Sequence, residues 1–209
     1  MDDHFIYPSQ ATYPHGATMC TPACYLLACG MLGDYGVRIP PTRAQMDVIM
    51  TVASRTQKIL IEGSNQQERL FSVYHVLEAI ESPTGVGATE VMGTVDALPE
   101  GFIQGFEDDG DRGCIIRDLG TAVRSLRPNQ ALLVTAHHHT TALLRPAGED
   151  SALWHFDPMV ARLLRLRNPE EALQLITTTI PSKEYAGLLV YQKGDARSTP
   201  GSLSTGRLR

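Results

Sequence analysis

The sequence predicts an α+β fold in which a helical first half packs on an antiparallel sheet formed by the second half. Two features carry this prediction. Residues 20–82 form long apolar or amphipathic stretches with helical spacing, whereas residues 131–192 contain short apolar runs that turn residues separate. A chain of 209 residues is long enough to bury one full hydrophobic core. We therefore expect one domain over residues 1–193.

Composition excludes several classes of function. Hydrophobic residues make up 43% and charged residues 20% of the chain, as in ordinary globular proteins. The net charge of −5 and the lack of a Lys/Arg-rich run argue against a nucleic-acid partner. No apolar run reaches the roughly 18 residues of a membrane span, and the N-terminus lacks the basic and apolar regions of a signal peptide. We expect a protein of a reducing compartment, the cytoplasm or the nucleus.

The first half contains three predicted helices. The stretch 20–32 is apolar almost all round, which indicates a helix buried at the centre of the domain. Thr42 is a suitable N-cap for a second helix over 43–61, and the amphipathic stretch 65–82 predicts a third. Residues 1–19 show little periodicity, so we expect an extended segment that leads into the first helix.

The second half contains the predicted strands and two shorter helices. Strands are expected at 131–136, 140–145, 152–156 and 185–192, with a further short strand at 90–95. A helix is expected over 115–126, and Asn168-Pro169-Glu170-Glu171 has the N-cap, first-turn proline and acidic residues of another helix start. Residues 194–209 are rich in small, polar and arginine residues, which is typical of a disordered tail or a linker to further protein.

The four cysteines do not form the pattern of a disulfide framework. Cys20 stands at the start of the predicted buried helix, where unpaired backbone N–H groups and the helix dipole favour thiolate over thiol. We therefore interpret Cys20 as a catalytic nucleophile whose thiol lies near the surface. Cys24 and Cys29 lie further into the helix and are interpreted as buried structural residues. Cys114 is distant in sequence.

Three consecutive histidines, His137, His138 and His139, precede the predicted strand 140–145. A thiol hydrolase needs one imidazole that accepts the cysteine proton and later protonates the leaving amine. His139 directly precedes the strand and is the preferred base, with His138 next; solvated loop histidines are the alternative interpretation. A metal cluster is disfavoured because neighbouring strand residues point to opposite faces and no adjacent ligand is present in the sequence. We expect no metal and no cofactor.

Asp157 follows the predicted strand 152–156. If that strand forms a hairpin with 140–145, the residue just before one strand meets the residue just after the other. Asp157 could then orient the imidazole of His139 and stabilise its cation; an aspartate that caps a turn is the alternative. The side-chain amide of Gln10 could join the Cys20 backbone N–H in an oxyanion hole. Cysteine, histidine and carboxylate in this chain order are typical of papain-like thiol hydrolases.

Several of these residues also resemble the motifs of one protein family. Gln10-Ala11, then Gly16 four positions before Cys20, and later Phe156-Asp157-Pro158 are similar to motifs of the deubiquitinase domain of herpesvirus large tegument proteins and its cellular and bacterial relatives. The resemblance extends over roughly residues 5–192. It implies a papain-like α+β fold, cysteine-protease activity and ubiquitin or a ubiquitin-like protein as the substrate.

The resemblance has one departure and one compatible feature. In the viral enzymes the catalytic histidine follows the aspartate by two residues, where this sequence has Met159. The base must then come from residues 137–139. An acidic loop could meet the arginines that precede the C-terminal diglycine of ubiquitin, although an ordinary solvated turn is the alternative. Its acidic residues are Glu107, Asp108, Asp109 and Asp111.

Two other functions fit the same residues. One is a papain-like cysteine protease or effector that cuts a non-ubiquitin protein with the same catalytic residues. The other is a non-enzymatic binding module in which the histidines and cysteines are structural or hold zinc. If the family resemblance holds, the protein acts in the cytoplasm or nucleus of a host cell, or in the virion tegument if it is viral.

Overall fold

The computed structural model of the chain describes residues 4–32, 37–63, 102–103, 115–116, 118–137, 139–148, 152–183 and 185–191. Four predicted features lie outside these residues: the helix at 65–82, the strand at 90–95, the acidic loop at 107–111 and the tail at 194–209.

The described residues form helices, strands and two short 3₁₀ turns. The helices are α1 Cys20–Leu32, α2 Arg43–Gly63, α3 Leu119–Ser125 and α4 Pro169–Thr179. The strands are β1 His4–Ile6, β2 Phe102–Ile103, β3 Ile115–Ile116, β4 Gln130–Ala136, β5 His139–Arg145, β6 Leu153–Asp157, β7 Arg162–Leu166 and β8 Tyr185–Tyr191. The 3₁₀ turns are Gln10–Thr12 and Gly16–Thr18. None of the helices in this described part has the length and hydropathy that a bilayer span requires.

The strands form one eight-stranded sheet in the order β1-β7-β6-β5-β4-β8-β3-β2. All of the described pairings are antiparallel. At its centre, β4 and β5 form a hairpin in which Ala136 pairs with His139. The next hairpin joins β5 to β6, with Ala142 opposite Phe156. These two hairpins bring the start of β5 and the end of β6 to the same end of the sheet.

Helices cover both faces of this sheet because side chains alternate between the faces along each strand. On one face, α1 and α2 pack against a core that includes Leu133, Leu144 and Phe156. On the other face, α3 and α4 pack against Leu132 and Leu143. The core is therefore built in two layers, one on each side of the central strands.

Helix α1 is the buried helix that the sequence predicted, with the same bounds. Most of its 13 residues are buried, on all sides of the helix. Each fully buried leucine, such as Leu27, contributes about 1.5–3 kcal/mol of hydrophobic stabilisation. Apolar packing of this kind holds the helix in the core, but it is non-directional and does not fix the position of individual polar atoms.

Two of the predicted helix starts agree with the structure. Thr42 and Gln45 form a reciprocal capping box at the start of α2, with Oγ1 of Thr42 accepting the Gln45 N–H at 3.2 Å and Oε1 of Gln45 accepting the Thr42 N–H at 2.9 Å. Asn168 caps α4, because its Oδ1 accepts the N–H of Glu171 at 2.8 Å. The four predicted strands of the second half are also present, within about one residue at each end.

Three predictions about the fold need correction. The helix expected over 115–126 begins only at Leu119, because Asp118 caps it through the N–H of Thr121, and residues 115–116 pair with β8 instead. Residues 4–19 are not extended throughout, since both 3₁₀ turns follow the extended strand β1. Strand β7 was not predicted, because its sequence Arg-Leu-Leu-Arg-Leu breaks strict alternation.

Candidate active site

Cys20 is the first residue of α1, and β5 packs over the start of this helix. The residue is buried, with 4% of its surface exposed. It contacts the ring of His139 and receives a backbone hydrogen bond from Thr140. The prediction that the helix start leaves this thiol near the surface is therefore wrong, because the start of β5 lies against it. Its predicted position at the first turn of the helix is correct.

His139 and Asp157 meet where β5 begins and β6 ends. Nε2 of His139 lies 3.1 Å from Oδ1 of Asp157, which is the contact that the predicted hairpin implied. Both residues are buried. The same Oδ1 accepts the backbone N–H of Met159 at 2.9 Å, so the carboxylate is held from two directions.

The charges of this pair follow from their contacts. Burial alone would raise the pKa of Asp157, but hydrogen bonds from His139 and the Met159 N–H, together with the imidazole charge, lower it. Burial alone would lower the pKa of His139, whereas its hydrogen bonds with Asp157 and Cys20 raise it to about 9. At neutral pH Asp157 is thus a carboxylate and His139 an imidazolium.

The Cys20 thiol shows the complementary shift. Burial raises the pKa of Cys20, but the hydrogen bond with His139, backbone hydrogen bonds from Thr140 and Thr21, and the charge of the imidazole outweigh this effect and lower the pKa. The opposite shifts of the thiol and the imidazole favour a thiolate–imidazolium pair. This pair is the activated state of a cysteine nucleophile.

The two nitrogens of the His139 ring have different neighbours. Asp157 binds Nε2, so Nδ1 is the nitrogen left for the Cys20 thiol. Nδ1 is buried, and within the described residues no hydrogen bond of standard geometry reaches it. The thiol and the ring are therefore adjacent without ideal alignment, which is common for catalytic hydrogen bonds before a substrate binds.

Cys24 and Cys29 differ from Cys20 in their surroundings. Both are buried within α1. Burial raises the pKa of Cys24 well above its usual range and that of Cys29 to about 12. The S–H of Cys24 donates to the carbonyl of Thr140 at 3.4 Å. These two cysteines are protonated packing residues, as the sequence predicted.

Gln10 lies in the first 3₁₀ turn, ten residues before Cys20. Its side chain is buried, and in the described part of the chain its Oε1 has no hydrogen-bond partner. Gly16 packs so closely that a Cβ at this position would lie 1.8 Å from the Gln10 carbonyl oxygen. The Gln10 N–H donates to the carbonyl of Pro158 at 3.4 Å. Gln10 is thus fixed between the segment that leads to Cys20 and the turn that follows Asp157.

The other predicted site residues do not join this cluster. His137 is exposed in the β4–β5 turn and, with Pro181, Ser182 and Lys183, lines an open cavity of about 620 Å³. His138 and the acidic residues Glu107, Asp108, Asp109 and Asp111 lie outside the described residues. A search of the described residues finds no group of three His, Cys, Asp or Glu side chains that could hold a metal ion.

Two residues near the site were not predicted. Thr140 contacts the nucleophile helix, and its position directly after His139 was the available signal. His155 is fully buried on β6, two residues before Asp157, so the two side chains share a face of the strand. Thr140 does not suggest a site by itself, because threonine is an ordinary strand former.

Comparisons with known proteins bear on the fold. No protein-family model and no curated protein sequence matches the chain. Among solved structures, the chain is similar to the ubiquitin-specific protease encoded by murine cytomegalovirus tegument protein M48, crystallised with a ubiquitin-based suicide substrate. The sequence identity is 14% and the TM-score 0.53, with 92% of this chain and 87% of that chain covered. At this identity the likeness concerns the fold, which is the papain-like α+β fold that the sequence predicted.

Proposed function

We propose that the protein is a cysteine-dependent deubiquitinase that hydrolyses the bond after the C-terminal glycine of ubiquitin or a ubiquitin-like modifier. The observation that carries the proposal is the buried Cys20–His139–Asp157 cluster, in which the pKa of the thiol is lowered and that of the imidazole raised. The cluster lies in a fold shared with a viral ubiquitin-specific protease.

The proposed reaction begins with attack of the Cys20 thiolate on the carbonyl carbon of the modifier's last glycine. Nδ1–H of His139 then protonates the leaving amine as the carbon–nitrogen bond breaks, and a thioester remains on Cys20. Next, His139 accepts a proton from a water molecule that attacks the thioester, and the thiolate is regenerated. Asp157 keeps the imidazole oriented through Nε2 and stabilises its cation.

Gln10 is the proposed oxyanion donor. Its side-chain N–H and the backbone N–H of Cys20 would both point at the oxygen that becomes negative during the two attacks. Support comes from the burial of Gln10 and from the close packing of Gly16 against its backbone carbonyl, which fixes the backbone of this turn beside the segment that leads to Cys20. A preorganised donor of this kind costs no reorganisation at the moment of reaction.

One observation supports ubiquitin as the proposed substrate: the structural neighbour was crystallised with a ubiquitin-based suicide substrate. We expect specificity to come from a narrow channel that admits two glycines and rejects most peptides by steric exclusion. Contacts with the folded modifier would then position the scissile carbonyl, so short peptides with the same ending should react poorly. We retain the acidic residues at 107–111 as a candidate contact for the arginines of the modifier.

The proposed activity also suggests a cellular compartment. A reducing compartment keeps a thiolate nucleophile active, because an oxidised cysteine cannot attack a carbonyl. We therefore propose that the protein acts in the cytoplasm or nucleus of a host cell, or in a virion tegument, and that residues 1–193 form the catalytic domain.

The decisive test is covalent labelling with a ubiquitin probe that carries an electrophile in place of the last glycine carbonyl. The wild-type protein should be labelled on Cys20, as located by peptide mass spectrometry. Cys20→Ala should not be labelled, whereas Cys24→Ala, the matched control on the same helix, should be. Probes built on ubiquitin-like modifiers, and cleavage of diubiquitins, would then define the substrate.

One result would refute the deubiquitinase proposal. It is inertness toward every modifier tested while Cys20 still reacts rapidly with a small alkylating reagent. The active thiol would then belong to a papain-like protease with another protein substrate.

A further inference from the structure

Three threonine hydroxyls form a continuous chain beside the catalytic pair. Oγ1 of Thr21 lies 2.6 Å from Oγ1 of Thr140, and the same oxygen of Thr140 lies 2.8 Å from Oγ1 of Thr135. Thr140 is fully buried, while the two outer threonines are half-buried. The central hydroxyl therefore has two protein partners, and both lie at short hydrogen-bond distances.

The three linked hydroxyls join α1, β5 and β4, and two of them lie next to the residues of the proposed chemistry. Thr21 directly follows the nucleophile on α1, and Thr140 directly follows the base on β5. Thr135 lies on β4, opposite Thr140 in the sheet register. A second hydrogen bond between α1 and β5 runs from the Cys24 S–H to the Thr140 carbonyl at 3.4 Å. Among the described residues, Thr140 thus makes two of the side-chain hydrogen bonds that join α1 to β5.

The backbone of Thr140 acts on the nucleophile directly. It makes a hydrogen bond to the Cys20 thiol, and this bond is one of the contacts that lower the pKa of the thiol. Its strength depends on the distance between the first turn of α1 and the first residues of β5. Apolar packing between these elements is non-directional and does not set this distance, whereas hydrogen bonds of defined length do.

We propose that Thr140 is a positioning residue whose hydroxyl, held between Thr21 and Thr135, sets the distance between the Cys20 thiol and the start of β5. The inference rests on the proposed Cys20–His139 pair but not on ubiquitin as the substrate. A purely structural hydroxyl would instead satisfy its own hydrogen bonds, stabilise the fold and leave the thiol unchanged.

The test compares Thr140→Val with Thr140→Ser in the full chain. Valine keeps the shape of threonine without the hydroxyl, and serine keeps the hydroxyl. The rate of Cys20 alkylation by iodoacetamide, followed by mass spectrometry from pH 4 to 10, reports the thiolate fraction without any ubiquitin substrate. In Thr140→Val we expect the inflection to move to higher pH by about one unit, which is about tenfold less thiolate at a pH below the inflection. Thr140→Ser should follow the wild-type profile.

Two further variants keep the test decisive if Thr140→Val does not fold. Thr21→Val removes the hydroxyl on α1 that bonds to Thr140, and it should give the same shift of the alkylation inflection. Thr135→Val leaves the bond between Thr21 and Thr140 intact and should give a clearly smaller one. With ubiquitin substrates, Thr140→Val should lower kcat with little change in KM.

The possible failures are distinguishable. An alkylation profile in Thr21→Val or folded Thr140→Val that matches the wild type would overturn the positioning role and leave the proposed function intact. A wild-type Cys20 that titrates as an ordinary thiol would overturn the catalytic pair itself, and with it both proposals.

Discussion

Two buried histidines on neighbouring strands have different charge states at neutral pH. His139, at the start of β5, has a pKa raised to about 9. His155, within β6, has a pKa lowered to about 4. Both are more than nine-tenths buried, so burial alone does not explain the difference. At neutral pH one ring is a cation and the other is neutral.

The difference comes from the polar partners of the two rings. Burial lowers the pKa of both, but His139 is hydrogen-bonded to Asp157 and Cys20, and these contacts more than reverse the effect. His155 pairs with Leu143 and Leu164 in the sheet, and within the described residues neither of its nitrogens has a hydrogen-bond partner. In this protein the buried histidine that carries a charge is the one that an acid and a thiol face.

The largest effect should separate the two histidines by function. His139→Ala removes the proton carrier of the proposed reaction and should lower kcat by about 10⁴- to 10⁶-fold. His155 has no part in the proposed reaction, so His155→Leu should keep kcat within a few-fold of the wild type. Cleavage of a fluorogenic ubiquitin substrate measures both. Comparable losses in the two variants would show that the charge difference has no catalytic meaning.

The second prediction makes the surroundings of His139 more like those of His155. Asp157→Asn keeps the shape of the side chain and removes its charge, so the pKa of His139 should fall from about 9. We expect a loss of kcat about one to two orders of magnitude smaller than in His139→Ala, because an orienting residue matters less than the base.

The pH dependence of kcat/KM checks this prediction. The rate of the wild type should fall above about pH 9, where the imidazolium loses its proton. In Asp157→Asn this alkaline limb should move to lower pH. An unchanged limb would contradict the role of Asp157 in holding the charge on His139.

A smaller catalytic loss is expected at the other end of the cluster. Gln10→Ala should lower kcat by about 10²- to 10³-fold with little change in KM, as the loss of one oxyanion donor does. Gln10→Glu is the matched control, since it keeps the size of the side chain but places an acceptor where a donor is needed. Activity close to that of the wild type in both variants would exclude Gln10 from the oxyanion hole.

The sequence predicted much of the fold because its strongest signals are local. The apolar run that forms α1 and the caps Thr42 and Asn168 depend on neighbouring residues alone. The hairpin between β5 and β6 also follows from strand length and turn position. By contrast, β3 consists of two residues, which is too short for a periodic pattern, and it forms because β8 offers it a partner.

Contacts in the candidate site that follow from the strand topology were predicted, and contacts that depend on how a helix packs on the sheet were missed. The meeting of His139 and Asp157 follows from hairpin geometry. The contact of Thr140 with Thr21 depends on how a helix packs across the sheet, which the sequence pattern does not encode. The burial of Cys20 was missed for the same reason. The neutral state of His155 depends on the lack of hydrogen-bond partners for its ring among the described residues, and no local sequence motif predicts this.

The final prediction concerns stability and uses the window between the two histidine pKa values. Below about pH 6.5 an unfolded chain protonates its histidines, whereas folded His155 resists protonation until about pH 4. The unfolded state therefore binds more protons in this range, and the free energy of unfolding should fall by up to about 3 kcal/mol as the pH drops from 6.5 to 4. His139 acts in the opposite range: its stabilisation is complete below pH 6.5 and is lost as the pH rises through about 9.

Urea unfolding of the full chain at pH 6.5 and pH 5 measures the effect of His155, because the stabilisation that His139 provides is complete below pH 6.5. The wild type should lose stability between these two values, and His155→Leu should lose clearly less, because the buried base is gone while the apolar volume remains. The charged neighbours that act on His155 are Asp157, Arg162 and His139, and all three remain in the variant. His137→Asn, at an exposed position with a positive φ of 49° that asparagine tolerates, is the matched control and should show the wild-type loss. If His155→Leu loses as much stability as the control, the acid sensitivity has another origin, and the neutral charge state of His155 loses its support.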